Sequence, residues 1–189
     1  QLPRPHRTGR VCLTLPVTRF EGLAYRAHHP GWAFDPESGE GARMLGGRFN
    51  RPGIACLYTS LRLETAWLEA QQGFAFKAQP MTLCSYRIDC SDILDLTTDE
   101  GLAAAPITRA ELACAWEVLA ADRKPVPTWQ LADRLIEAGC AGIIVPSFAA
   151  RAGERDINLV LWHWTQDKPH MVIVVDDDNR LPKDRSSWQ

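Results

Sequence analysis

Residues 46–69, GGRFNRPGIACLYTSLRLETAWLE, set three kinds of local chemistry end to end. Gly46 and Gly47 allow positive φ and a close approach of backbone to a ligand, while Arg48 and Asn50 supply donors beside them. Residues 54–59 are a short β-branched and aromatic run, which predicts a strand ending near Tyr58. Residues 61–72 then switch to a helical period. Leu63, Ala66, Trp67 and Ala70 form an i, i+3, i+4, i+7 stripe, and Gly73 ends it. At about 100° per residue, Glu69 falls on the flank of that stripe, where a carboxylate is either half-buried at a cleft or simply solvated. A loop able to hold an anion, an aromatic strand and a lone carboxylate, in that order, predict a site for a phosphate-bearing ligand.

The fold is read outward from this stretch. Upstream, residues 11–15 and 23–27 read as short strands, the second broken by His28, His29, Pro30 and Gly31. Residues 30–47 are rich in Gly, Pro and acidic side chains and read as a long loop, a kind of segment that is usually functional or mobile. Its Gly39-Glu40-Gly41 lacks the third glycine and the strand-to-helix junction of a dinucleotide-binding turn. Downstream, residues 81–88 and 93–96 read as strands. Thr108 and Glu111 form a capping-box pair ahead of a helix through Leu112, Ala115, Trp116 and Leu119, which Pro125 and Pro127 end. Thr128 is placed to cap a second helix over 129–138, closed by Gly139. Residues 142–147, 158–164 and 171–175 supply further strands. There is no internal repeat and no linker composition. The irregular interleaving predicts an α+β single domain over 11–178, a mixed β-sheet core with flanking helices, between a flexible arm at 1–10 and a loose tail at 179–189.

Composition narrows the function classes. The 189 residues are 46% hydrophobic and 23% charged, enough for one globular domain with a substantial core. A net charge of −2 argues against a general nucleic-acid binder. The six cysteines are scattered with no C-x-x-C pair, and the histidines show no metal spacing, so no metal is expected. No apolar run reaches the roughly 18 residues of a membrane span, and the cysteine usage fits a reducing cytoplasm.

Three further residues carry candidate chemistry. Arg26 shares a strand face with Ala24 and is either a solvent-facing edge arginine or a guanidinium fork aimed at phosphate or ribose. Tyr58 is either core or a ring that stacks on a base with its hydroxyl toward water. Ser147 ends the buried run at 142–147, and its surroundings lack the G-x-S-x-G elbow of a serine nucleophile.

Taken together, Tyr25-Arg26, Gly46-Gly47-Arg48-Phe49-Asn50, Leu57-Tyr58, Thr65-Ala66-x-x-Glu69 and Gly142 followed by Val145-Pro146-Ser147 resemble the RES domain family over roughly residues 20–165. The chain differs in its loop, where Phe49-Asn50-Arg51-Pro52 replaces Trp followed by Asn-Pro, and in delaying the arginine after Ser147 to Arg151. The resemblance implies an ADP-ribosyltransferase-like fold and a toxin of a bacterial toxin–antitoxin pair acting on NAD+ as substrate, without a metal. It implies Arg26, Glu69 and Ser147 as catalytic residues, and Arg26, Arg48, Asn50, Tyr58 and Ser147 as NAD+ contacts. The implied partner is an Xre-type antitoxin with a helix-turn-helix that covers the site. Beside it stand a protein acceptor of ADP-ribose and a homodimer or toxin–antitoxin hetero-oligomer, with no direct nucleic-acid or membrane contact. The rival reading is a non-catalytic nucleotide-binding or protein-interaction module.

Overall fold

The longest strand organises the sheet. In a computed structural model, which describes residues 15–71 and 79–186, β3 (Thr82–Asp95) buries Cys84, Tyr86, Ile88 and Cys90 at every second position. One edge of β3 takes β1 (Val17–His28) antiparallel along most of its length, with Ala24 opposite Tyr86 and Arg26 opposite Cys84. The other edge is shared. There β6 (His170–Val174) runs antiparallel beside Tyr86 to Cys90, and β4 (Gly142–Pro146) runs parallel beside Ile93 to Asp95. Next to β4 lie β5 (Ile157–Leu161) and then β2 (Leu57–Ser60), both in antiparallel pairings. A single pair, Tyr25 with Ser60, joins β2 back to β1. The strands β1, β2, β5, β4 and β3 therefore form a closed circuit, with β6 outside it on β3.

The parallel β3–β4 pair requires a long crossover, and the chain makes it with four helices. These are α3 (Asp99–Ala104), α4 (Arg109–Leu112), α5 (Trp116–Ala121) and α6 (Pro127–Glu137). Leu102, Leu112, Leu131 and Leu135 from this crossover pack with Leu94, Ile143 and Val145 of the sheet as one core. The second core, with Ala24, Tyr86, Ile88, Leu159 and Leu161, belongs almost wholly to the strands. Earlier in the chain, α1 (Glu40–Leu45) precedes the glycine loop and α2 (Leu63–Ala70) packs on β1. Mixed sheet and flanking helices in one domain match the expected class.

Several expectations change. The strands at 81–88 and 93–96 are one, because β3 runs through Asp92 at a positive φ of 62°. The helix through Leu112 to Leu119 breaks at residues 113–115 into α4 and α5, although the Thr108–Glu111 capping box forms as expected. Pro127 begins α6 at its first turn instead of ending its predecessor, and Thr128 is buried within it. The 30–47 loop contains a 3₁₀ turn (Pro30–Trp32) and α1, and it is pinned. The Pro36 carbonyl accepts from Tyr86 Oη at 2.7 Å, the Glu37 carbonyl accepts from Trp164 Nε1 at 3.0 Å, and Glu37 Oε1 accepts from the Val174 amide at 2.6 Å. The expected loose tail lies against the domain over its described part, with the Arg185 guanidinium 4.6 Å above the Trp32 ring. The expected arm at 1–10 and most of the strand at 11–15 lie outside the described residues. Among the described residues no helix is long and apolar enough to cross a membrane.

Asp89 ties the far end of β1 to the turn before β6. Its buried carboxylate accepts from Arg19 Nε at 2.5 Å and Nη2 at 2.7 Å, and pairs with Lys168 Nζ at 2.6 Å. Hydrogen bonds from Arg19 and then Lys168 hold this carboxyl well below the usual range. A depressed carboxylate contributes stability that is complete above its unfolded value, near pH 4, and is lost as pH falls through the lower folded value. Asp89→Asn is therefore expected to lower Tm at neutral pH and to flatten its decline between about pH 4 and pH 2, as read by thermal melts across that range.

Candidate active site

Cross-strand neighbours build the floor of a cavity of about 400 Å³. Tyr58 pairs with Val160 and Ser60 with Asn158, and the period of two points all four side chains to the cavity face. Arg26 of β1 enters from one side. The glycine loop and Arg48 form another wall, Glu69 of α2 a third, and Trp116 and Phe148 supply aromatic surface.

Glu69 is at the centre of the polar half. Its Oε1 accepts from Ser147 Oγ at 2.6 Å and from Asn158 Nδ2 at 2.5 Å. The expected stripe on α2 is rotated. Leu63 and Trp67 are 45% and 39% exposed, whereas Thr65 and Ala66 are buried. Glu69 follows Thr65 by four residues and Ala66 by three, so it belongs to the buried face and not to the flank. Thr65 is held there by its hydroxyl, which donates to Asp156 Oδ1 at 2.6 Å. The Gly153 amide and Thr65 keep the Asp156 carboxyl below the usual range, so that acceptor is charged.

Arg26 lies on the inner strand face with Ala24, opposite Cys84, which rules out the solvent-facing alternative. Its Nη1 donates to the carbonyls of Pro36 at 3.2 Å and Ser38 at 3.0 Å, so the pinned loop sets the direction of the guanidinium fork. Arg48 Nη1 donates to the Leu112 carbonyl at 3.1 Å and the Cys114 carbonyl at 2.6 Å, acceptors at the break between α4 and α5. Its guanidinium carbon sits 4.6 Å from the Phe148 ring centre. Burial pulls its pKa down, with Glu69 among the groups that oppose the shift, and an arginine remains cationic through such a change.

Two loop residues have other duties than expected. Asn50 is 0% exposed and does not line the cavity: Nδ2 donates to the carbonyls of Ala42 at 2.8 Å and Ile54 at 2.9 Å. The Tyr58 hydroxyl does not face water. It donates to Asn50 Oδ1 at 2.8 Å and accepts from the Phe49 amide at 2.9 Å. Burial pushes the phenol's pKa well up, so it stays protonated and keeps that donor. Asn50 is thus a brace of the loop, and Tyr58 offers only its ring to the cavity. Trp129 Nε1 donates to the Gly47 carbonyl at 2.7 Å and Trp162 Nε1 to the Phe49 carbonyl at 2.8 Å, completing a rigid loop. Tyr58→Phe leaves the Phe49 amide and Asn50 Oδ1 each short of a partner and is expected to cost about 1–3 kcal/mol of stability, measured by denaturant unfolding.

Ser147 stands behind the carboxylate. Its hydroxyl donates to Glu69 and accepts from the Ala149 amide at 3.2 Å, so it acts on the site through Glu69 and not as a wall residue. Arg26 and Glu69 from distant segments therefore meet at one cavity, and Ser147 stands behind the glutamate as its hydrogen-bond donor. The family model of the RES domain matches residues 23–184. The chain belongs to the RES domain family.

This RES domain also resembles solved structures. One is a chain in the crystal structure of the M. tuberculosis MbcT–MbcA toxin–antitoxin complex, with a TM-score of 0.58 and 20% sequence identity over 85% of this chain and 84% of that one. At that identity the likeness establishes the fold. No curated protein matches the sequence. Among the described residues no group of three or more His, Cys, Asp or Glu side chains is placed to hold a metal ion.

Sequence reasoning missed Ser60, Trp116, Phe148 and Asn158 in the RES cavity. Asn158 leaves a trace in retrospect, as a polar residue at the start of the buried run Asn158 to Leu161 on the same face as Val160. Trp116 reads as core on helical period, and only the break at 113–115 turns it to the cavity.

Proposed function

We propose that this RES domain binds NAD+ in the cavity and breaks its nicotinamide–ribose bond, passing ADP-ribose to a protein side chain, to water or to phosphate. The observation that carries the reading is the Glu69 carboxylate, held on one oxygen by Ser147 and Asn158, inside a cavity that also presents Arg26 and Arg48. In this reaction the C–N bonding pair leaves with the pyridinium nitrogen, so nicotinamide departs neutral. Positive charge develops at the anomeric carbon and ring oxygen of the ribose. Glu69 stabilises that charge and orients the ribose hydroxyls. Arg26 and Arg48 face the pyrophosphate, for which planar guanidinium forks are suited. The Tyr58 and Phe148 rings border the bases. A lone pair of the acceptor oxygen or nitrogen then bonds the anomeric carbon, and any proton that atom carries passes to solvent.

We infer the biological role of a toxin in a toxin–antitoxin pair, with a helix-turn-helix antitoxin over the cavity mouth. Support comes from the family and from the apolar side chain of Leu45 at that rim, which is 81% exposed.

The test is incubation of purified protein with NAD+, with chromatography for free nicotinamide. Release is the expected result. A mass gain of one ADP-ribosyl group on another protein identifies transfer, and free ADP-ribose or its phosphate identifies the small acceptors. Binding of NAD+ without any nicotinamide release would instead establish a non-catalytic nucleotide-binding module.

A further inference from the structure

Ser60 and Asn158 belong to the cavity floor, and their hydrogen bonds form a chain into the Glu69 carboxylate. Ser60 Oγ donates to Asn158 Oδ1 at 2.7 Å, and Asn158 Nδ2 donates to Glu69 Oε1 at 2.5 Å. An ionised carboxylate is acceptor-only, so the amide must turn its nitrogen to Glu69. Its oxygen then faces Ser60, whose hydroxyl has only to donate. A flipped amide would put Oδ1 against Oε1, two acceptors in contact, and lose the hydrogen bond on which the carboxylate depends. Both side chains are almost fully buried, at 3% exposed for Ser60 and 9% for Asn158, so each depends on protein partners for its bonds.

The backbone makes this chain rigid. Asn158 sits in the interior of the sheet, paired with Ser60 of β2 on one side and Val145 of β4 on the other. Ser147 is anchored comparably, because its oxygen accepts the Ala149 amide while its proton goes to Glu69. Oε1 is thus clamped between two donors, each already fixed by a second bond.

We propose that Ser60 and Asn158 are a positioning relay for Glu69, in which Asn158 holds the carboxylate and Ser60 sets the orientation of the Asn158 amide. The proposal rests on the reading of Glu69 as the catalytic carboxylate. It assigns neither residue a direct contact with substrate, and it separates their effects in a way that mere cavity lining does not.

Two measurements test it. In nicotinamide release, Asn158→Ala is expected to lower kcat by about 10- to 100-fold, the usual range for a lost hydrogen bond to a charged group, with KM within about twofold. Ser60→Ala is expected to lower kcat by about tenfold alone and to have no further effect in Asn158→Ala, since it acts only through that amide. Multiplying effects of the two variants, or an Asn158→Ala enzyme with unchanged kcat, overturns the relay while leaving the functional reading intact. The second measurement needs no substrate. In ¹⁵N spectra the Asn158 side-chain amide is expected downfield in the wild type and to move in Glu69→Gln, and Ser60→Ala is expected to broaden it. An amide indifferent to both changes overturns the relay. A responsive amide in a protein that releases no nicotinamide upholds the positioning chain and overturns the reaction assigned to the cavity.

Discussion

Nicotinamide release by Glu69→Gln is expected to fall by two to three orders of magnitude while the thermal midpoint moves little. Glutamine preserves the shape of the side chain and retains a carbonyl oxygen that can accept from Ser147 Oγ and Asn158 Nδ2. What is lost is the charge. A carboxylate about 4 Å from developing positive charge, at an effective dielectric near 20, is worth up to about 4 kcal/mol. At about 1.4 kcal/mol per factor of ten in rate, that energy covers two to three decades. The check is kcat by chromatography beside a melting curve for the same preparation. Full activity in the variant would remove Glu69 from the chemistry. A collapsed melting curve would recast it as a structural residue.

The second large effect is expected at Gly47. A Cβ at this position would lie 2.6 Å from Tyr58 Oη and 2.9 Å from Asn50 Oδ1, closer than atoms in contact allow. Neither neighbour can yield cheaply. Tyr58 is held by the Phe49 amide and by Asn50, and Asn50 is held in turn by the carbonyls of Ala42 and Ile54. The loop itself must move, against the Trp129 indole that grips the Gly47 carbonyl. Gly47→Ala is therefore expected to cost about 1–3 kcal/mol of stability, as overpacking does, and to lower Tm by several degrees. Because the displaced wall is the one bearing Arg48, the apparent KM for NAD+ is expected to rise at least about tenfold, the cost of one misplaced charge-assisted hydrogen bond. An unchanged KM in a folded variant would show that the loop does not touch the ligand.

The class of fold was legible because most strands announce themselves by period. Those at 142–147 and 171–175 coincide closely with β4 and β6, and that at 158–164 overlaps β5, which ends at Leu161. Short helices were harder. Neither α1 nor α3 spans two turns, so neither presents a repeat, and α3 is signalled only by Thr98, whose side chain accepts from the Gly101 amide. β3 is one strand where two are expected: Asp89 and Asp92 fall between the expected strands, and Asp89 is buried by its ion pairs with Arg19 and Lys168. On α2 the apolar template counted Leu63 and Trp67 as core, yet the helix lies close on β1 through Thr65 and Ala66. Small buried residues next to large exposed ones invert the usual reading of a helical wheel. In the site, Arg26, Glu69 and Ser147 were found as an ordered set by resemblance. Spacing could not show that the donors of Asn50 and the hydroxyl of Tyr58 are consumed inside the loop.

The pairing of Tyr25 with Ser60 has a thermodynamic corollary. Among the described residues it is the sole register pair between β1 and β2, and the cavity straddles it, with Arg26 on one bank and Ser60 and Asn158 on the other. The circuit of strands is thus thinnest at the cavity. A molecule that spans the cavity acts as a rivet across that joint, so occupancy and the integrity of the ring are linked quantities, each strengthening the other by mass action.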